Sequence, residues 1–345
     1  MKTGKSNLTT DTEVSGNDVD RSETAGQSFS KRLILSPQFL VLVVIMVFVG
    51  YGATQSSQFV DPATWINILR NAVFILVVAS FSTFVFVSGG LDLSVGSLFA
   101  VGAMTSAWMS YGGHSVALSF AAGFLAATAC GLMNGILINY ANIPAFITTL
   151  GMLYAARSLI TFSTSGNPIG PLPDNFSKLG QMDLFGLPVL ILYAVVISMG
   201  AHFLLEKTTF GWSVRAVGGN REAAKNAGIN VRKVSTIVYT LSGLSAGVAG
   251  VLMAARLNSG QPSLGTGFEL QIISAVIIGG TSLFGGIGSI PGTVLGSLVL
   301  SVLTTGLILL RINPVLQNFV VGVIIVVAVG LDQLRRSNMF RARDR

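Results

Sequence analysis

From residue 37 onward the chain alternates long apolar runs with short polar or glycine-rich breaks. A helix needs about 20 mostly apolar residues to cross about 30 Å of hydrocarbon. Ten segments approach that length, at roughly 37–54, 67–88, 93–112, 115–138, 144–163, 186–206, 235–256, 268–284, 289–310 and 315–333. The third starts inside a break that contains an aspartate, and the eighth is short and bounded by glycines, so each is a candidate broken or re-entrant segment. The pattern predicts an all-α polytopic membrane protein with about ten transmembrane helices. It divides the chain into a polar tail at 1–32, a transmembrane unit at 33–334 holding one long polar loop at 207–234, and a basic tail at 335–345.

Composition strengthens this reading. Hydrophobic residues make up 51% of the 345 residues and charged ones only 10%, against roughly 25% charged in soluble domains. The 40 glycines suit membrane helices, whose packing rests on close backbone approach. The 1–32 tail is rich in Ser, Thr, Gly and Asn and has no apolar core, so it reads as disordered and not as a signal peptide. The single cysteine, Cys130, rules out an intrachain disulfide or a cysteine metal cluster. His114 and His202 lie far apart and read as satisfied polar groups, so no metal site is expected.

The net charge of +7 would suit nucleic acid or a lipid surface, and the placement of the charges decides for the membrane. Of the 21 basic residues, 16 lie in the N-terminal tail, the 207–233 loop and the C-terminal tail. With ten spans and a cytoplasmic N-terminus, all three face the cytoplasm, as the positive-inside rule requires. Eight or twelve spans would preserve the same parity.

The long loop carries a local helix signal. Asn220 is a good N-cap, Glu222 sits in the first turn where the helix dipole favours negative charge, and Gly228 stands at a C′ position. "REAAKNA" (221–227) between them predicts about two helical turns. So short a helix is marginal alone and needs something to dock on. Ala223, Ala224 and Ala227 offer a small smooth face, with Gly219 before the cap and Ile229 after it. A partner protein's cleft suits that face better than lipid, because its apolar side is slight.

Few ionisable residues lie in or near the apolar segments: Asp92, Arg157, Glu206, Arg256 and Glu269. Each costs roughly 2.5–3.5 kcal/mol on insertion scales. Snorkelling toward a span end accounts for Glu206 and Arg256. Asp92 stands in "SGGLDLSVGS" (88–97) among Gly89, Gly90, Ser94 and Gly96, where a helix is expected to break. Its carboxylate is expected to accept from backbone N–H groups near Ser94 or Val95, capping the next helix. Direct substrate contact and proton coupling are the alternatives. "GGTSLFGGIGS" (279–289) repeats this plan, with Gly279 and Gly280 first, Ser282 at the place of Asp92, and Gly285 and Gly286 before the closing Gly-Ser. "NIPAF" (142–146) and "NPVLQ" (313–317) form a weaker pair. Paired breaks in two halves suggest an internal repeat with a pathway at its interface. Asn134, Asn139, Asn142, Thr148 and Thr149 read either as interhelical hydrogen bonds or as a polar path for a polyol.

Four stretches resemble the permease subunits of ribose-type monosaccharide ABC importers, a family that also includes autoinducer-2 importer permeases. They are "GGLDLSVGS", "AVGGNREAAKNAGINV", "TLSGLSAGVAGVLMAARL" and "VIIGGTSLFGGIGSIPGTVLGSLV". The resemblance covers about residues 38–333. It implies a multi-pass permease of the bacterial inner membrane, working as a dimer with a second copy or a paralogue. It implies a separate ATPase subunit that holds ATP and Mg, so that this chain binds no cofactor and is not itself an enzyme, and a periplasmic protein that delivers the substrate. The 219–229 helix would then be the coupling helix in the ATPase cleft. A stand-alone secondary transporter or facilitator is the competing reading.

Overall fold

The structure, a computed structural model, describes residues 37–184 and 186–313 and the separate positions 316, 319, 320, 322, 323, 326 and 330, with side chains from residue 45 onward. The two tails and most of the 315–333 segment lie outside the described residues.

Twelve α-helices lie among the described residues: α1 (Pro37–Gln55), α2 (Pro62–Val87), α3 (Val95–Tyr111), α4 (Val116–Asn139), α5 (Ala145–Ser163), α6 (Asp174–Gln181), α7 (Val189–Lys207), α8 (Thr209–Gly219), α9 (Arg221–Asn226), α10 (Val231–Leu257), α11 (Phe268–Ile278) and α12 (Ile290–Leu309). A two-stranded antiparallel hairpin, β1 (Asp183–Leu184) with β2 (Leu187–Pro188), joins α6 to α7. Six helices, α2, α4, α5, α7, α10 and α12, are long and apolar enough to cross a bilayer. The chain is an all-α membrane protein.

Element positions follow the hydrophobic pattern closely where runs are long. The eighth apolar segment, expected over 268–284, is helical only to Ile278. Gly280 takes φ +85°, and a Cβ on Gly279 would stand 2.6 Å from a backbone carbon of Gly292, so the chain turns here on glycines. At 11 residues, α11 is about 16 Å long, half the hydrocarbon thickness. Two further elements, too short or too polar to stand out in the apolar pattern, were not anticipated. α6 is a short polar helix, and α8 fills the first part of the 207–234 loop, capped by the Thr208 side chain.

α2 and α10 form the centre. From Ala72 to Val87 every residue of α2 except Phe81 is buried. α10 packs against α3 and α4 through small residues. The Cβ position of Gly243 lies 2.9 Å from Gly131 Cα, and that of Gly247 lies 2.7 Å from Ala127 Cβ. Such spacing brings backbones together, which is how membrane helices gain packing energy when the surroundings are as apolar as the side chains. Buried hydroxyl contacts tie helices across the core: Thr83 with Thr293 at 2.7 Å, Ser80 with Ser198 at 3.2 Å, and Ser301 donating to Ile68 O at 2.7 Å. Bonds of this kind contribute about 0.6 kcal/mol each in membranes.

The periphery is apolar. Val196, Met199 and Phe203 on α7 are each about 60% exposed or more, as expected of a lipid-facing helix and not of a water-soluble surface. α5, by contrast, packs on α3 and α4 and leaves a whole face uncovered.

Candidate functional site

The break after α2 builds the most polar point of the core. Gly89 takes φ +77°, and residues 90–94 run non-helical before α3 starts at Val95. Asp92, 4% exposed, accepts three hydrogen bonds. Oδ1 takes Ser94 N–H at 2.9 Å and the Ser94 hydroxyl at 2.6 Å, and Oδ2 takes the Ser242 hydroxyl of α10 at 2.8 Å. Asn134 of α4 extends the network by donating from Nδ2 to Ser94 Oγ at 2.9 Å. Ser94, Asn134 and Ser242 are all fully buried. This network pins the start of α3 to α4 and α10. Its enclosure leaves the carboxylate no open side in this conformation.

The second break, 279–289, makes a related local turn. Ser282 Oγ accepts from Phe284 N–H at 3.3 Å, the same two-residue reach as Asp92 to Ser94. Ser289 caps α12 by accepting from Gly292 N–H at 3.2 Å. The structure brings the two breaks into contact and adds a third partner, the end of α8. A Cβ on Gly285 would lie 2.6 Å from Gly218 O and 3.0 Å from Gly89 Cα. Gly286 N–H donates to Val87 O at 2.8 Å, and a Cβ on Gly218 would overlap that same carbonyl. Three glycine pairs thus form one junction beside the loop that carries α9. Gly96, at the other end of the first break, packs against Gly265.

α9 has the shape the loop sequence predicts. The Asn220 side chain accepts from Ala223 N–H at 3.0 Å, Glu222 lies in the first turn, and Gly228 stands at φ +83° beyond the end. Its faces divide differently from the expected alanine surface. Ala224 is 4% exposed and packs inward with Val214, Val217, Val231 and Val234, with Ile229 half-buried beside them. The exposed face is Gly219, Glu222, Ala223, Ala227 and Gly228, with Arg221 and Lys225. The dock that so short a helix needs is therefore first its own chain. Arg221 also donates to Asn139 Oδ1 at 3.3 Å, linking α9 to the end of α4.

The residues considered for a polar path do not share a surface. Asn134 and Thr149 are fully buried and Thr148 nearly so, while Asn142 is exposed in the α4–α5 turn at φ +57°. Asn139 bonds Gly135 O at 2.8 Å and Thr236 Oγ1 at 3.3 Å, and Thr149 bonds back to Ala145 O at 2.9 Å.

The remaining ionisable residues are also placed, with Glu269 in the first turn of α11 against Gly96. Glu206 pairs with Arg215, and Arg256 donates to Asn71 Oδ1 at 3.1 Å and sits over the Phe74 ring. Arg157 on α5, marked by the sequence only as a costly charge, has partners about 100 residues further on. Between α10 and α11 the chain leaves helical structure at Asn258 and runs along α3, with Gly260 against Ala107 and Gly265 against Gly96. Those α3 positions are about 16 Å apart along the axis. Non-helical backbone at such depth needs protein partners for its polar groups. Arg157 supplies them, donating from Nη1 to Pro262 O at 2.7 Å and Leu264 O at 2.5 Å, and from Nη2 to Gly96 O at 3.2 Å. Its guanidinium also walls a cavity of about 310 Å³ with Thr161, Gln261 and Ser263.

Helices that turn on glycines, buried polar staples and a helical loop at one end define a polytopic transport-type membrane protein. Residues 64–329 match the family described as the permease component of the branched-chain amino acid transport system. The chain belongs to this family of permease components. It is 37% identical over 297 residues to the ribose import permease protein of Bacillus subtilis, covering 86% of this chain and 91% of that one. It is 34% identical to the ribose import permease protein of Escherichia coli, over 86% of this chain and 93% of that one. It is 39% identical to the L-arabinose transport system permease protein of Escherichia coli, over 87% and 91% of the two chains. No solved structure matches it significantly.

Proposed function

We propose that this chain is the transmembrane permease subunit of an ATP-binding cassette importer that carries a monosaccharide across the bacterial inner membrane. The observation that carries this reading is the similarity, across nearly all of each chain, to permeases named for the import of ribose and L-arabinose. In this reading the chain binds no cofactor. ATP and Mg sit on a separate ATPase subunit, a periplasmic protein delivers the sugar, and two permeases form the membrane dimer. About ten spans place both termini and the α8–α9 loop in the cytoplasm, in accord with the positive-inside rule.

α9 is the coupling helix of this proposal. Its exposed face, centred on Ala223 and Ala227, is small enough to enter a cleft, and its buried face joins it to the core. Movement of α9 reaches the two breaks through Gly218, which packs directly on Val87 and Gly286. Asp92 then serves as a structural joint and not as a sugar ligand. The matched turns at Asp92 and Ser282 support an internal repeat, with both turns on the α9 side.

Ala223→Arg and Ala227→Arg test the coupling role. Both side chains are exposed, so each variant is expected to reach the membrane in normal amounts and to lose ATP-dependent uptake of labelled D-ribose or L-arabinose. Normal uptake by both variants would remove α9 from the mechanism. Uptake of labelled L-leucine in place of either pentose would assign the cargo that the family description names. Pentose flux through the chain alone in liposomes would favour a facilitator.

A further inference from the structure

The 310 Å³ cavity beside Arg157 lies at the end of the bundle opposite α9, between the last turns of α5 and the non-helical 258–267 segment. Its size is at the lower end of the roughly 300–1,000 Å³ typical of small-molecule sites. Three of the five guanidinium N–H groups of Arg157 are used on Pro262, Leu264 and Gly96 carbonyls, so two remain available beside Thr161, Gln261 and Ser263. The Ser263 hydroxyl makes no hydrogen bond among the described residues, and Gln261 Nε2 reaches only Ser259 Oγ at 3.4 Å.

The uncovered face of α5 continues from this cavity. Gly151, Tyr154, Ser158 and Thr161 recur at helical spacing and are all exposed, on the side opposite the buried Thr149, Ala156 and Ile160 and interleaved there with the exposed apolar Ile147, Leu159 and Phe162. Ser158 makes no hydrogen bond among the described residues, whereas the Thr161 hydroxyl donates to Arg157 O at 2.9 Å. An unpartnered hydroxyl such as that of Ser158 is costly against hydrocarbon. Val196 and Met199 on α7 are as exposed, and neither side chain is polar.

We propose that the Arg157–Thr161–Gln261–Ser263 cavity is a binding subsite for the hydroxyl groups of a neutral monosaccharide, and that the Thr161–Ser158–Tyr154–Gly151 stripe is the water-lined path leading inward from it. Guanidinium and amide N–H groups would donate to the sugar oxygens, and the serine and threonine hydroxyls would accept from them. With the Arg157 charge opposed by Glu269, which packs against Gly96, and only short polar arms, the subsite would hold the sugar weakly, which suits passage. The proposal rests on the monosaccharide reading above for its cargo, and on geometry alone for its wetness.

The test uses the complete chain in membranes, in a Cys130→Ser background. Single cysteines replace Ser158, Thr161, Gln261 or Ser263, with Val196 and Met199 as lipid-facing controls. A water-soluble cationic methanethiosulfonate is expected to label the four positions at least tenfold faster than the controls. Labelling at all four as slow as at the controls would overturn the cavity and the path, whatever the cargo. Ser158→Trp and Thr161→Trp are expected to cut uptake of labelled D-ribose or L-arabinose at least tenfold at unchanged membrane levels, while Val196→Trp retains it. Wild-type uptake in both tryptophan variants would overturn the path. Fast labelling together with no pentose uptake by the unmodified chain would support the wet cavity and count against the monosaccharide reading instead.

Discussion

Asp92 shows how a buried carboxyl group is held by groups far apart in sequence. Its bond from Ser94 N–H is local, two residues away, and follows from the chain's own turn chemistry. The Ser242 and Asn134 contributions come from α10 and α4 and have no local signal. Replacing Asp92 by alanine leaves Ser94 N–H and the Ser242 hydroxyl buried without partners, at about 1–3 kcal/mol each. Asp92→Ala is therefore expected to lower the thermal stability of the purified chain markedly. Asp92→Asn, whose carbonyl oxygen can still accept from Ser94, should lose less, and unfolding midpoints in detergent compare the two. Gly218 and Gly219 make a sharper pair. A Cβ on Gly218 would overlap Val87 O, whereas nothing lies within 4 Å of one on Gly219. Gly218→Ala should destabilise by about 1–3 kcal/mol through overpacking, and Gly219→Ala should leave the midpoint in place.

At the scale of elements, α9 was legible because its signals are local: a cap residue, an acidic first turn and a glycine beyond the end. Asn220→Ala removes the side chain that accepts from Ala223 N–H and is expected to cost about 1 kcal/mol. Amide hydrogen exchange at residues 221–227 should quicken accordingly, with α8 less affected. Which alanine faces inward was not legible. "REAAKNA" is nearly as apolar at 223 and 227 as at 224, and the choice is made by Val214, Val217, Val231 and Val234, which arrive from α8 and α10. The turn-rich 258–267 segment was hidden for a related reason. Its polar groups are satisfied by Arg157, which lies about 100 residues earlier on a different helix.

Over the whole molecule, glycine does two different jobs. In α4 and α10 it lets backbones approach, with Gly131 and Gly243 in direct contact. In the breaks it permits turns and lets Gly89, Gly218 and Gly285 meet. Gly243→Leu is expected to separate α4 from α10 and lower the yield of folded chain, read as loss of a monodisperse peak in size-exclusion chromatography. The junction joins the loop carrying α9 to both breaks, and a rigid contact there is what a motion generated at one end would need to reach the core.

The sequence by itself determined the membrane class, the positions of the long helices, the break at Asp92, the break at 279–289 and the capped helix at 221–226. Each depends on properties of contiguous residues: apolar length, glycine's backbone freedom and side chains that bond their own neighbours. Only the tertiary structure decided that the two breaks touch each other through Gly218, that Ala224 is buried while Ala223 is exposed, and that Arg157 holds a non-helical run of turns within the bundle. Those facts depend on which distant segments meet, and in this chain the meeting points are mostly glycines and serines, residues whose sequence signal is the same whether they pack, turn or face water.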